Sequence, residues 1–193
     1  MTHIIAPAKL TLSLKVTGVR ADGFHLIDAE MVSLELHDVL TITDGDSGMS
    51  VSGPFASGVP TDDNNLVARA LQLCGKTAHI HIEKNIPHGG GLGGGSADAA
   101  AVLRWAGYTD LIAASRLGAD IPFCMHGGRA RVTGIGEILE PLPFVAREIT
   151  LVVPPFGVST PTVYKAFDSL QVTHVGPNDL EPAAIAVEPR LAQ

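Results

Sequence analysis

Aromatic residues and positive charge are both scarce in this chain. Of 193 residues, 5% are aromatic, and 13 lysines and arginines face 20 aspartates and glutamates, which gives a formal net charge of −7. Proteins that bind single-stranded nucleic acid stack bases on aromatic rings, and duplex binders present a basic surface. The composition therefore argues against a nucleic-acid partner, and local backbone N–H groups would have to hold any anionic ligand.

Cysteines and long apolar runs are lacking as well. The two cysteines, Cys74 and Cys124, lie far apart in apolar segments, which is typical of reduced, buried thiols in a cytoplasmic protein. No apolar stretch approaches the roughly 20 residues that a membrane span needs. The first residues do not show a basic region followed by an apolar run. We therefore expect a cytoplasmic location and no membrane partner.

The hydrophobic pattern predicts an α+β fold rather than regular βαβ repetition. Alternation predicts strands over 10–14, over 31–42 with a break near 37–38, over 78–83 and over 148–153, and a hairpin over 128–142. Helical spacing predicts helices over 66–74, 96–106 and 111–117, and a last helix that begins at Ser159 or Thr160. Residues 44–57 are expected to form a loop or short hairpin, and the tail after 176 shows no complete element.

A glycine-rich loop precedes the alanine-rich helical segment. Six of the seven residues from Gly89 to Gly95 are glycine, which allows positive φ angles and close approach of the backbone to a ligand. The free N–H groups at a helix start carry partial positive charge and bind phosphate well. A flexible linker is the alternative, but linkers usually mix serine with glycine and do not lead straight into a strong helix. The loop therefore predicts phosphate binding.

Three kinds of phosphate loop compete for this segment. The Walker form is excluded because no lysine precedes Ser96. A Gly-x-Gly-x-x-Gly pattern occurs, but the dinucleotide-binding form needs a strand buried on both faces, and the preceding strand has one polar face. On that face His79 and His81 lie two residues apart; because no third ligand is evident, no metal site is predicted there.

The third kind carries a family resemblance. Residues 87–99 fit Pro-x-x-x-Gly-Leu-Gly-x-Gly-Ser-x-x-Ala, which resembles the phosphate-binding motif of the GHMP kinase superfamily. Six further segments are similar to that family: 6–10, 20–25, 63–66, 117–122, 134–137 and 157–162. The resemblance implies a GHMP-kinase N-terminal domain (the ribosomal protein S5 domain 2-like fold) over residues 1–150, with a mixed or antiparallel sheet and helices on one side. Because family members continue well beyond this length, it also implies that 151–193 is the start of a truncated C-terminal domain.

The resemblance implies an enzyme that uses ATP and Mg²⁺ to phosphorylate a hydroxyl of a cytidine diphosphate-linked polyol for isoprenoid synthesis. Asp120 would accept the hydroxyl proton, and Lys9 would keep that carboxylate ionised. The ATP-binding residues would be Asn65, Leu66, Pro87, His88, Gly89, Gly90, Gly91, Leu92, Gly93, Gly94, Gly95, Ser96 and Ala97. The substrate-binding residues would be Thr11, Phe24, His25 and Tyr164.

Several alternatives stay open on the sequence. Ser96 either reaches a phosphate oxygen or Mg²⁺ or caps its own helix, and Asp98 is expected to complement the helix dipole. Phe24 stands where the family usually has tyrosine, and Thr11 where it usually has asparagine. A nucleotide-binding module without turnover is the alternative function. An exposed apolar face is expected to associate with a second copy of the chain or with a separate C-terminal chain.

Overall fold

A computed structural model describes residues 1–170 and 176–193, and its elements begin and end as follows. The strands are β1 Thr2–Val19, β2 His25–Asp44, β3 Gly48–Ser52, β4 Ala78–Glu83, β5 Arg129–Gly134 and β6 Ile138–Pro141. The helices are α1 Leu66–Cys74, α2 Gly94–Trp105, α3 Leu111–Leu117, α4 Ile121–His126, α5 Thr160–Ser169, α6 Glu181–Val187 and a short 3₁₀ helix Pro189–Ala192. Within the described residues no helix combines the length and the apolar character that crossing a bilayer requires.

The long strand β2 organises the sheet. It pairs with β1 along almost its whole length, with β5 through residues 27–32 and with β4 through residues 39–44, all antiparallel. β3 pairs with β4 in parallel, and β6 extends the opposite edge beside β5. The sheet is therefore mixed, and the predicted α+β class is confirmed.

The core lies between this sheet and the helices packed around α2. Residues 97–103 of α2 are all buried, because alanine side chains let the helix lie close to β1 and β2. On the sheet, Leu40 pairs with Ile82 and Ile42 with Ile80, and all four side chains are buried. α1 and α4 pack on α2 from either side. This packing fixes the start of α2 against the middle of β1.

Register shifts in β1 alter the simple alternation expected for residues 10–14. Shifts occur between Pro7 and Lys9 and between Thr11 and Ser13. As a result Leu14 is buried in the core, whereas Leu12 lines an apolar groove instead of sharing that core face. A bulge redirects the side chains beside it, and Lys9, which directly follows the first shift, is buried.

Four other expectations are wrong, and one helix was not expected at all. β2 has no break at 37–38, because the buried Asp38 finds partners inside the protein. Residues 48–52, expected in a loop or short hairpin, form strand β3, which pairs with β4. Residues 148–153, expected to form a strand, do not form one. Residues 121–126 form a helix, since proline is well suited to the first turn. The tail after 176 contains α6 and the 3₁₀ helix.

Candidate active site

The glycine-rich loop ends at an open helix start. Gly89, Gly91 and Gly93 have φ angles of 76°, 70° and 68°, which favour glycine. Gly93 is the N-cap of α2, and no side chain caps this end. The first N–H groups of a helix have no partner within it, so this end can receive an anion. The helix-cap alternative for Ser96 is therefore wrong, since Ser96 lies inside the first turn.

Lys9 joins this loop to the predicted catalytic aspartate. Its backbone N–H donates to the Leu92 carbonyl at 3.0 Å, and a Cβ on Gly93 would lie 2.8 Å from its Cγ. At the tip of the side chain, Nζ lies 3.1 Å from Asp120 Oδ2 and 3.3 Å from Thr11 Oγ1. Only 8% of Lys9 is exposed. A buried ammonium thus holds the carboxylate and the hydroxyl beside the phosphate loop.

Asp120 begins helix α4, and its side chain is not used as a cap. Its carbonyl accepts from Cys124 N–H at 3.0 Å, while the carboxylate is 30% exposed and faces Lys9. The turn before β6 supports this position, because a Cβ on Gly136 would overlap the Ala119 carbonyl oxygen. The carboxylate is therefore placed by its neighbours and reachable by a ligand.

Asn65 and Leu66, two of the predicted ATP-binding residues, differ in whether their side chains are already used in contacts within the protein. Asn65 caps α1: its Oδ1 accepts from Val67 N–H at 2.9 Å and its Nδ2 donates to Pro60 O at 2.7 Å. Leu66 Cδ1 lies 3.7 Å from the position of a Cβ on Gly95. Leu66 therefore borders the start of α2, while the Asn65 side chain already has two protein partners.

Two of the predicted substrate-binding residues, His25 and Tyr164, touch each other. The His25 and Tyr164 rings lie 4.6 Å apart between centroids with a 31° tilt. Phe24 is 54% exposed, and the Arg20 guanidinium lies 5.5 Å from its ring centroid. Burial, with a smaller effect of the Asp120 charge, raises the pKa of Tyr164 to about 12. Tyr164 is therefore neutral near pH 7, and the Asp120 charge is one of the two causes of its raised pKa.

A buried charged cluster beneath the loop escaped the sequence analysis. Lys84 Nζ donates to Asp38 Oδ2 and to Asp98 Oδ2, the second bond at 2.5 Å. The other Asp38 oxygen, Oδ1, accepts from the backbone N–H groups of Asn85 and Ile86. The start of the glycine-rich loop is therefore bonded directly to Asp38 on β2, and the helix that follows the loop is joined to the same carboxylate through Lys84. The only available signal was that polar residues flank the loop on both sides.

The cluster corrects the expectation for Asp98. Its side chain does not complement the helix dipole from solvent but is buried, and its Oδ1 has no hydrogen-bond partner among the described residues. Burial, together with the nearby Asp38 carboxylate, raises the pKa of Asp98 to about 7 against the opposing effect of Lys84. Burial also acts to lower the pKa of Lys84, but the two carboxylates outweigh it and raise that pKa.

Comparison with known proteins agrees with this architecture. Residues 65–128 match the family described as GHMP kinases N terminal domain. The 4-diphosphocytidyl-2-C-methyl-D-erythritol kinase of Paracoccus denitrificans is 45% identical over 97% of this chain and 76% of its own length. A Cereibacter sphaeroides protein of the same name is 38% identical over all of this chain and 80% of its own. A crystal structure of 4-(cytidine 5'-diphospho)-2C-methyl-D-erythritol kinase superposes with a TM-score of 0.71 at 32% identity, covering 99% of this chain and 80% of that one.

An α+β domain with an uncapped, glycine-led helix start beside a Lys–Asp pair defines a small-molecule kinase of the GHMP class. Within that class, the chain belongs to the 4-diphosphocytidyl-2-C-methyl-D-erythritol kinase family.

Proposed function

We propose that this chain phosphorylates a hydroxyl of 4-diphosphocytidyl-2-C-methyl-D-erythritol with ATP, a step of isoprenoid precursor synthesis. The observation that carries the proposal is the 3.1 Å ion pair between Lys9 and Asp120 at the edge of the glycine-rich loop. In the transfer, the hydroxyl oxygen bonds to the γ-phosphorus and the bond to the β,γ-bridging oxygen breaks. The hydroxyl proton passes to the Asp120 carboxylate, and ADP leaves.

Each part of the site has a separate task in this proposal. Phosphoryl transfer depends mainly on positioning and on stabilising negative charge. The amides at the start of α2 hold the phosphates, and Leu66 contacts the adenine. Lys9 pairs with the Asp120 carboxylate and orients the attacking hydroxyl, which Thr11 helps to place. His25, Tyr164 and the exposed Phe24 bind the cytidine end.

Mg²⁺ is proposed to enter with the ATP phosphates. Magnesium is typically bound through one or two protein oxygens plus substrate phosphates rather than by an all-protein cage. The described part of the chain contains no group of three or more His, Cys, Asp or Glu side chains suited to a metal. The Ser96 hydroxyl, in the first turn of α2, is the oxygen donor that fits this role. Bound Mg²⁺ would neutralise charge on the phosphates.

The domain and partner assignments are also proposals. Residues 151–193 are proposed to begin a second domain; of these, 171–175 lie outside the described residues. Phe144 and Val152 are 83% and 87% exposed, so a second copy of the chain or a separate chain is proposed to cover them. Light scattering at increasing protein concentration tests self-association. The proposed location is the cytoplasm.

The decisive experiment measures ADP formation with 4-diphosphocytidyl-2-C-methyl-D-erythritol, ATP and Mg²⁺. Asp120→Asn removes the proton acceptor while keeping size, and we expect kcat to fall about 10²- to 10⁴-fold, the usual contribution of a general base. Asp110→Asn, at the cap of α3, is the matched control. Equal turnover by Asp120→Asn and the parent protein would reject the mechanism. ATP binding without ADP formation by the parent would favour a nucleotide-binding module instead.

A further inference from the structure

We propose that Asp168 is a positioning residue for the cytidine end of the substrate, an inference that rests on the proposed function. Asp168 lies on α5, 143 residues along the chain from His25. Its carboxylate holds the His25 imidazole in place against the Tyr164 ring. None of the motifs that identify the family includes this aspartate.

The first support is the hydrogen bond itself. His25 Nε2 lies 2.7 Å from Asp168 Oδ1, and only 13% of the His25 side chain is exposed. An ionised carboxylate can only accept, so the proton must sit on Nε2. In the neutral ring, Nδ1 is then an acceptor. Asp168 therefore fixes both the rotation of the imidazole and the identity of its protonated nitrogen.

The second support is the spacing on α5. Tyr164 and Asp168 are four residues apart, so they lie on the same face of the helix. Tyr164 stacks on the His25 ring at 4.6 Å, and Phe167 approaches its edge at 6.3 Å. One helix thus supplies the ring that packs on His25 and the carboxylate that anchors it. Loss of the anchor would leave the imidazole held by ring contacts alone.

The position of the His25–Asp168 contact determines which step its loss would affect. His25 opens β2 directly after the turn that carries Phe24, so the anchored imidazole connects that turn to α5. The His25–Asp168 contact crosses the proposed cytidine site and lies outside the ATP loop. Its loss should therefore weaken binding of the cytidine-linked substrate while leaving ATP binding intact.

The kinetic test compares Asp168→Ala, Asp168→Glu and the control Ser169→Ala, whose hydroxyl donates to Lys165 O within α5. We expect Asp168→Ala to raise the KM for the cytidine-linked substrate about five- to tenfold, with kcat and the KM for ATP within about twofold. Asp168→Glu should restore most of the loss, and Ser169→Ala should match the parent. A wild-type substrate KM in Asp168→Ala would overturn the proposal. So would an equal loss in both KM values together with a lower melting temperature.

A spectroscopic test keeps this inference separate from the proposed function. Nitrogen-15 spectra of the histidine rings should show His25 protonated at Nε2 in the parent, and a mixture of tautomers in Asp168→Ala. Unchanged His25 signals would overturn the positioning role, whatever the substrate is. Failure of the parent to bind CDP or to phosphorylate the substrate would instead reject the proposed function, with the tautomer result still deciding whether Asp168 holds His25.

Discussion

Asp98→Asn should make the stability of this protein much less sensitive to pH. In the parent, Asp98 is buried beside Lys84 and Asp38, and one of its oxygens has no partner in the part of the chain that the structure describes. Asparagine keeps the shape and an oxygen for Lys84 but cannot ionise. The substitution therefore isolates the cost of charging this one carboxyl group in the core.

The magnitude follows from the shift in pKa. The pKa of Asp98 rises from the usual 3.8 to about 7, chiefly through burial. The folded state therefore binds the proton more tightly than the unfolded state. Below pH 3.8 Asp98 is protonated in both states, so the parent keeps the full stability that an uncharged side chain would give it. This part of the unfolding free energy is lost as the pH rises from 3.8 through 7. A shift of this size corresponds to about 4 kcal/mol at most, at about 1.36 kcal/mol for each pKa unit.

The test is urea unfolding of the parent and of Asp98→Asn at about pH 5, 6, 7 and 8, and the quantity compared is the difference between their unfolding free energies. Because the other titrating groups are common to both proteins, their effects cancel. We expect Asp98→Asn to gain about 2–4 kcal/mol of unfolding free energy relative to the parent between about pH 5 and 8. Asp46→Asn, in the exposed turn after β2, is the matched control. A difference that stays constant over this pH range would refute the assignment of a proton to Asp98.

Two further substitutions, Gly136→Ala and Phe123→Ala, test the packing around the site, and Gly45→Ala is the control for the first. Gly136→Ala should cost about 3 kcal/mol and lower kcat, because the new Cβ overlaps the carbonyl next to Asp120; thermal unfolding and turnover check this. Gly45→Ala is the control: its φ of 78° strains an alanine as well, but its Cβ meets open space, so it should cost only about 1–2 kcal/mol. Phe123→Ala, which empties a fully buried site, should cost about 3–5 kcal/mol by urea unfolding, and a cost below about 1 kcal/mol would contradict the packing described.

Local patterns predicted the elements that rest on local physics. The cap at Asn65 and the glycine stop at Gly75 delimit α1 as expected, and alternation over 78–83 gave β4. The helix after the glycine-rich loop was also predicted locally, because residues 96–106 are rich in alanine and other strong helix formers. The pairing of Lys9 with Asp120 came from the family resemblance rather than from any pattern within the chain. Their assigned roles in catalysis stay predictions.

Long-range contacts account for what the sequence did not reveal. Asp38 looked like a strand break because its partner Lys84 lies 46 residues away. The pairing of β3 with β4 likewise depends on the α1 connection between them, not on a local turn. Side-chain alternation put Leu12 and Leu14 on the same face because it carries no information about bulges. In each case the decisive interaction joins residues that no short window contains.

The length of β2 restricts where this chain can tolerate insertions. Three strands share its register, and successive residues point to opposite faces. An added residue inside β2 would turn Asp38 away from Lys84 and shift His25 relative to α5 at the same time. Tags, loop grafts and circular-permutation junctions should therefore be placed at the turn that follows the strand, 45–47, where the sheet keeps its alignment and no proposed binding residue lies.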